Sequence, residues 1–264
     1  MRGIFLKTLH DLRGGLIGWG VALALTAALL IGIYPAFTGI AQLQQMIETA
    51  PPGLKVLYGR FADMTTLEGF LAVEGFNMFL PVLFLVYAII TGSALVGGEE
   101  ERGTLDLLLA YPVPRWRVVV EKLAGLLAAI AILAAIMALG FVAGGLAAGV
   151  SADYGRIVVG TMNLVPLTLL FGVVAFLVTC AGWGRGAAGG LAGVLATGAY
   201  LVDALAPLVE ALDRPSRYLP FYLYGGGLPL REGVNLGHVA ALLGAALALA
   251  GVSIWAFQRR DVGT

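Results

Sequence analysis

Charge is what this sequence has least of. Aspartate, glutamate, lysine and arginine make up 12% of its 264 residues and hydrophobic residues 59%. A water-soluble domain carries roughly 25% charged residues, so bulk water is excluded as the main solvent. The 16 basic and 16 acidic residues cancel, which leaves no electrostatic excess for a phosphate backbone, and no nucleic-acid partner is expected. Cysteine is reduced to Cys180; an intramolecular disulfide and a thiolate metal cluster both need several converging sulfurs and are excluded. The two histidines, His10 and His238, lie near opposite ends of the chain without an i, i+4 partner, so no metal site is expected. Lysine is scarce too: Lys7, Lys55 and Lys122 follow Leu6, Leu54 and Glu121. A phosphate-binding loop needs lysine directly after glycine, so the chain is expected to hold no nucleotide and no other cofactor.

Long apolar runs are what the sequence has in abundance. A bilayer core about 30 Å thick needs roughly 20 apolar helical residues to cross it. Six windows qualify: 16–37, 78–96, 123–150, 158–183, 187–206 and 239–257. Asp203 is the only ionised side chain inside them. Hydrocarbon demands this segregation, because a mid-bilayer charge costs several kcal/mol and every backbone amide must be satisfied internally. The predicted fold is an all-α membrane protein, residues 1–264 forming a single transmembrane domain of six helices. The first window is longer than the roughly 7 to 15 apolar residues of a signal-peptide core and no small-x-small site follows, so it is expected to remain in the chain.

Orientation follows from the short connections. With the N-terminus inside, ten basic residues (Arg2, Lys7, Arg13, Arg102, Arg115, Arg117, Lys122, Arg185, Arg259, Arg260) face the cytoplasm and six (Lys55, Arg60, Arg156, Arg214, Arg217, Arg231) face out, which predicts cytoplasmic termini. Trp19, Trp183 and Trp255 then sit at inner span ends, and Tyr34, Tyr200, Tyr218, Tyr222 and Tyr224 lie towards the outside. Residues 2–13 place Ile4, Phe5, Thr8, Leu9 and Leu12 on one face, with Lys7, His10, Asp11 and Arg13 elsewhere, the pattern of an interfacial amphipathic helix.

The outer connections, 38–77 and 207–238, are long enough to carry structure. The first has helical potential at 41–50 before Pro51-Pro52; the second holds the aromatic run Tyr218 to Tyr224 and then Gly225-Gly226-Gly227. Two readings stand side by side, an interfacial loop anchored by tyrosines and a lid over a substrate path. Asp203, with Asn77 and Asn163, is a candidate for a transport path, since an intramembrane polar group is a functional candidate by default; interhelical hydrogen bonding is the alternative. The glycine pairs Gly140/Gly144, Gly145/Gly149 and Gly189/Gly193 permit close helix approach and read as general packing.

Most of the chemical information lies in the inner loop at 98–117. Glu99-Glu100-Glu101-Arg102-Gly103-Thr104 precedes Leu105, Leu108 and Leu109, one apolar stripe at i, i+3, i+4, with Thr104 as N-cap and Pro112 as stop. A helix this short is marginal alone, so the stripe needs headgroups or a protein groove to cover it. The carboxylates complement a helix N-terminus and offer partners to basic residues.

Glu99, Glu100, Glu101, Arg102, Gly103, Thr104 and Leu105, together with Leu108, Pro112, Arg115 and Lys122, resemble the inner loop of type-2 ABC exporter permeases, and Leu109 of the same stripe is assigned with them to ATPase coupling. The resemblance implies an N-terminal amphipathic helix, six membrane helices, and a cytoplasmic coupling helix seated in a groove of a separate ATP-hydrolysing subunit. It further implies two ABC ATPase subunits that bind ATP and Mg, a second permease copy or related permease, and residence in the cell membrane. Two other classes compete. An ATP-independent secondary transporter usually places coupling carboxylates at mid-membrane, whereas Asp203 stands alone near an edge. An intramembrane metalloprotease would need a membrane-buried histidine beside Glu99-Glu100, and none is available.

Overall fold

The computed structural model describes residues 3–38, 66–105 and 113–260. The expected helix at 41–50, and Leu108, Leu109 and Pro112 of the expected coupling helix, lie outside the described residues. The elements are α1 (Gly3–Thr38), α2 (Leu67–Phe70) running through a π-helical segment (Leu71–Phe79) into α3 (Leu80–Glu101), α4 (Arg115–Ala147), α5 (Tyr154–Met162), α6 (Leu164–Cys180), α7 (Arg185–Leu205), three short helices α8 (Glu210–Ser216), α9 (Pro220–Tyr224) and α10 (Leu228–Glu232), and α11 (Leu236–Arg259). They make six helical segments long and apolar enough to cross a membrane, as the hydropathy predicts. The described chain is thus an all-helical, multi-pass membrane protein.

The segment ends move relative to the sequence reading, each for an identifiable reason. Residues 3–13 do not form a separate element: α1 is one helix of 36 residues, about 54 Å at 1.5 Å per residue. Its first turns are held against α4. The Phe5 N–H donates to Glu121 Oε2 at 3.0 Å, so a carboxylate from another helix satisfies one of the amides that α1 leaves open at its start. Buried Thr8 packs on Gly125, where a Cβ would come within 2.6 Å of the threonine methyl. The outer connection expected at 38–77 is helical from Leu67 onward. Thr66 caps this helix, its hydroxyl accepting the Gly69 N–H at 3.1 Å, and Leu67, Phe70, Leu71 and Phe76 are buried. Glu68, Glu74 and Asn77 lower the local hydropathy there without breaking the helix. In the fourth span, Pro166 lacks the N–H that would engage Met162, and the chain is divided at Asn163 into α5 and α6.

Two parallel helix pairs make the body. α1 lies along α4, and α3 along α6; α11 packs on α4 and α6, and α7 on α3 and α6. Along the first pair, Gly20 meets Ile136, Ala27 meets Gly140 and Ile31 meets Gly144. In the second, the backbones come close enough that a Cβ on Gly92 would run into the Gly172 carbonyl oxygen. Small residues allow this because apolar burial offers no drive between helices already in lipid; contact and packing must supply it. Phe84, Leu126, Leu133, Phe141, Leu167 and Phe176 fill the centre and are closed off. Gly3 and Arg260 lie at the same end of the bundle, the basal end; the other is the distal end.

The glycine contacts separate two substitutions of equal chemistry. Gly92→Ala is expected to destabilise the bundle by about 1–3 kcal/mol, the range for overpacking. Gly190→Ala, where a Cβ meets nothing within 4 Å, is expected to leave stability unchanged or slightly raised. Thermal midpoints of the two variants in detergent check the pair.

Candidate functional site

The carboxylate triplet belongs to the last turn of α3, which extends to Glu101. The helix ends there because Gly103 takes the left-handed conformation, φ 66°, which costs a residue with a side chain roughly 1–2 kcal/mol. The Gly103 N–H donates to the Glu100 carbonyl and the Thr104 N–H to the Glu99 carbonyl, each at 2.9 Å. This pair of reversed bonds closes a helix C-terminus in a Schellman motif. The Thr104 hydroxyl also donates to the Glu99 carbonyl, at 3.1 Å. Thr104, expected as the cap of a following helix, also bonds the end of the preceding one, and Leu105 directly after it is helical. The Glu-x-x-x-Gly-Thr spacing is that of a helix terminus turning sharply into residues 102–114.

Leu105 was expected in an exposed stripe. It is 2% exposed and belongs to the chain's own core, because the turn at Gly103 folds the chain back beneath α3. Leu108 and Leu109 lie beyond the described residues, so the remainder of the stripe is not placed.

Each carboxylate of the triplet reaches a different helix. Glu99 is bound by Lys7 of α1 and by Lys122 of α4, both at 2.9 Å. The Lys122 side chain is 3% exposed, and its ammonium also donates to the Leu95 carbonyl at 2.6 Å. Glu100 pairs with Arg260, immediately past α11. Arg260 in turn donates to the Thr179 carbonyl of α6 at 3.1 Å. Glu101 faces Arg185, the first residue of α7, at 3.8 Å. Arg115, at the start of α4, donates to the Arg260 carbonyl at 2.6 Å and the Gln258 carbonyl at 3.4 Å. The last turn of α3 is thus tied, directly or through Arg260, to every other membrane-crossing helix at the basal end.

Sequence reasoning singled out the acids and missed most of their partners. Lys7, Arg185 and Arg260 entered as basic residues of the inner side and not as partners of the acids, and Glu121 and Arg117, paired at 2.7 Å, were not read as a pair. The available signal was that basic residues concentrated on one side of a membrane must share that layer with the acids placed there. Arg102 serves as the C-cap residue of α3.

The polar candidates for a transport path do not converge. Asn163 is buried, and its amide donates to the Tyr224 carbonyl at 2.9 Å. Asn77 accepts the Gly227 N–H at 3.1 Å. The Tyr224 hydroxyl donates to the Phe76 carbonyl of the π-helical segment at 3.0 Å, and complete burial raises its pKa well above the ordinary phenol value, keeping the donor proton in place. Gly227 sits so close to the π-helical backbone that a Cβ would be 2.5 Å from the Ala72 methyl. Both asparagines therefore fasten the distal segment 224–227 to the second and fourth spans. Asp203 is partly buried in α7, and among the described residues it makes no hydrogen bond or ion pair with either.

A family model described as ABC-2 family transporter protein matches residues 4–194, a stretch that contains α1 through α6, the carboxylate triplet and the first part of α7. No curated protein matches the chain in sequence.

The contact geometry sets an order of costs at the basal end. Removing Glu99 leaves Lys122 buried with only a carbonyl, and Glu99→Gln is expected to destabilise by about 3–5 kcal/mol, the cost of orphaning a buried charge. Lys122→Met leaves Glu99 paired with Lys7 and is expected to cost less. Unfolding midpoints of the two single variants and the double variant, combined as a cycle, check the order.

Proposed function

The chain belongs to the ABC-2 family of transporter proteins and is a membrane subunit of an ABC transporter; from that membership we propose that it is the permease of an ATP-driven exporter. Hydrolysis takes place on separate ABC ATPase subunits, two per complex, which bind ATP and Mg. A second permease, a copy of this chain or a relative, completes the complex. The basal end faces the cytoplasm of a cell membrane, since it gathers the basic residues that the positive-inside rule assigns there.

The observation that carries this reading is the position of the carboxylate turn. Residues 102–114 leave α3 at the one point from which contacts run to all five other spans. A partner that displaces this loop pulls on Glu99, Glu100 and Glu101 together, and through them on Lys7, Lys122, Arg260 and Arg185. Such a partner changes the bundle only if it engages the loop differently in two of its own states, since equal affinity for both shifts nothing. Nucleotide-bound and nucleotide-free ATPase subunits supply that difference. Glu99 holds the hub, Gly103 and Thr104 set the angle at which the loop leaves it, and Leu108, Leu109 and Pro112 belong to the part that meets the partner. Arg115 returns the loop to α4 and binds the end of α11. Of the three polar candidates for a path, Asp203 is the one not engaged by the distal segment.

Gly103→Ala combined with Glu100→Gln tests the reading while leaving Glu99 and its two ammonium partners intact. The chain is expected to insert normally. Transport-coupled ATP hydrolysis by the reconstituted complex is expected to fall roughly tenfold, the shift that about 1–2 kcal/mol produces in a two-state balance. Hydrolysis and transport at wild-type coupling would remove the loop from its assigned role.

A further inference from the structure

The second span changes helical type near its distal end, and Pro81 decides which carbonyl that change leaves without a main-chain donor. Residues Leu71–Phe79 are π-helical and α3 begins at Leu80. The Leu80 N–H donates to the Gly75 carbonyl, five residues back. By the same pattern the Phe76 carbonyl would accept from residue 81, but Pro81 has no N–H to give. Its donor comes instead from another element: the buried Tyr224 hydroxyl, at 3.0 Å.

An α register over the same residues reverses these pairings. The Leu80 N–H would then donate to Phe76, four residues back, and Tyr224 would lose its acceptor. The close contact of Gly92 with the Gly172 carbonyl oxygen holds α3 in place, so the residues ahead of it would turn by about 100°, the angle of one residue. Asn77 would leave the Gly227 N–H, which it now accepts at 3.1 Å, and Glu68 would leave the Asp153 N–H. Val73 would stand where Ala72 now lies, against Gly227, a place so tight that a Cβ on the glycine would be 2.5 Å from the Ala72 methyl. The fastenings of segment 224–227 to the second span therefore belong to the π register alone.

We propose that residues 71–79 are a register switch: π-helical while segment 224–227 is clasped onto the span, and α-helical when that segment is released. Pro81 balances the two states. Its ring crowds the carbonyl four residues back, that of Asn77, only in the α register, which offsets the ordinary preference of a chain for α over π turns. Two packings that differ by a few hydrogen bonds and one proline contact form a bistable element that a ligand or partner can bias. The coupling is reciprocal: whatever draws Tyr224 away turns the span, and whatever turns the span frees Tyr224. The switch is a latch on the connection between α7 and α11, and it follows from the distal packing whether or not the chain is a permease.

The test uses the full chain in detergent, without nucleotide or an ATPase, so its outcome stands apart from that of the coupling experiment. Tyr224→Phe keeps the buried ring and removes the donor. Pro81→Ala supplies an N–H in either register and removes the ring that only the α register crowds; with a helix breaker gone, it is expected to fold. Each single variant is expected to speed amide hydrogen exchange at residues 221–230 by roughly tenfold, the shift that one hydrogen bond produces, and the two together by roughly a hundredfold. Rotation of the span is read separately, with a short thiol-to-thiol crosslinker between Glu68→Cys and Asp153→Cys, buried Cys180 staying in place. The combined variant is expected to crosslink severalfold more slowly than the same cysteine pair in the otherwise wild-type chain. A folded Pro81→Ala chain whose residues 221–230 exchange at or below the wild-type rate would overturn the switch. So would a combined variant whose distal amides open while its crosslinking is unchanged, which would make Tyr224 a local fastening only.

Discussion

A carboxylate at the edge of a bilayer has to be matched by cations, because water reaches it poorly and the protein interior solvates it no better. Glu99 meets that requirement with two ammonium groups from two different helices, one exposed and one buried. Much else at the basal end follows from it. Lys122 is stable in its buried position only while Glu99 is charged beside it, and Lys7 ties the start of α1 to the end of α3 only while the same carboxylate is in place. The Schellman turn at Gly103 fixes where α3 stops, and hence which residues fall in the last turn. Inserting or deleting one residue within α3 ahead of the acids would rotate all three by about 100°, away from their partners.

The six spans are legible in the sequence because hydrocarbon enforces one rule along their whole length: apolar side chains and internally bonded amides. Their ends are not, because that rule relaxes at the interface. Residues 67–77 carry Glu68, Glu74 and Asn77 and read as loop, yet the chain stays helical, since a helix satisfies its own amides whatever its side chains face. Residues 3–13 read as a separate surface helix from their amphipathic spacing, which α4 explains equally well by supplying Glu121 and Gly125 as a docking surface. A single sequence gives the stripe and not the identity of what covers it. Leu105 teaches the same: its spacing with Leu108 and Leu109 is visible, but the turn that buries it inside its own core depends on the αL conformation at Gly103.

The acids of the site were legible and their partners were not. Glu99, Glu100 and Glu101 stand out as a local cluster in a chain poor in charge. Lys7, Arg185 and Arg260 lie far from them in sequence and become neighbours only through the order in which the helices pack. The asparagines show the converse. Asn77 and Asn163 are polar groups in apolar surroundings, and the sequence leaves two readings open for each. Asn163 donates to the Tyr224 carbonyl and Asn77 accepts the Gly227 N–H, backbone groups that need partners once the distal segment is laid against the spans.

The packing also bears on which motions the bundle can make. α1 with α4, and α3 with α6, meet through glycine and alanine at close quarters, and separating either pair would forfeit dense contact with no compensating gain from lipid. α7 differs. It touches α3 through Arg185 and Gly97 at the basal end and through Gly189 beside Ile89 and Ser93, while Gly190 and Gly193 face open space. Displacement of α7 about its basal contact disrupts less packing than opening either pair, and Arg185 sits at the pivot. The ion pair between Arg185 and Glu101 joins that pivot to the turn from which the loop at 102–114 departs. A displacement of the turn at Gly103 therefore reaches α7 through a half-exposed ion pair, and the two close-packed pairs through the charges of Glu99 and Lys122.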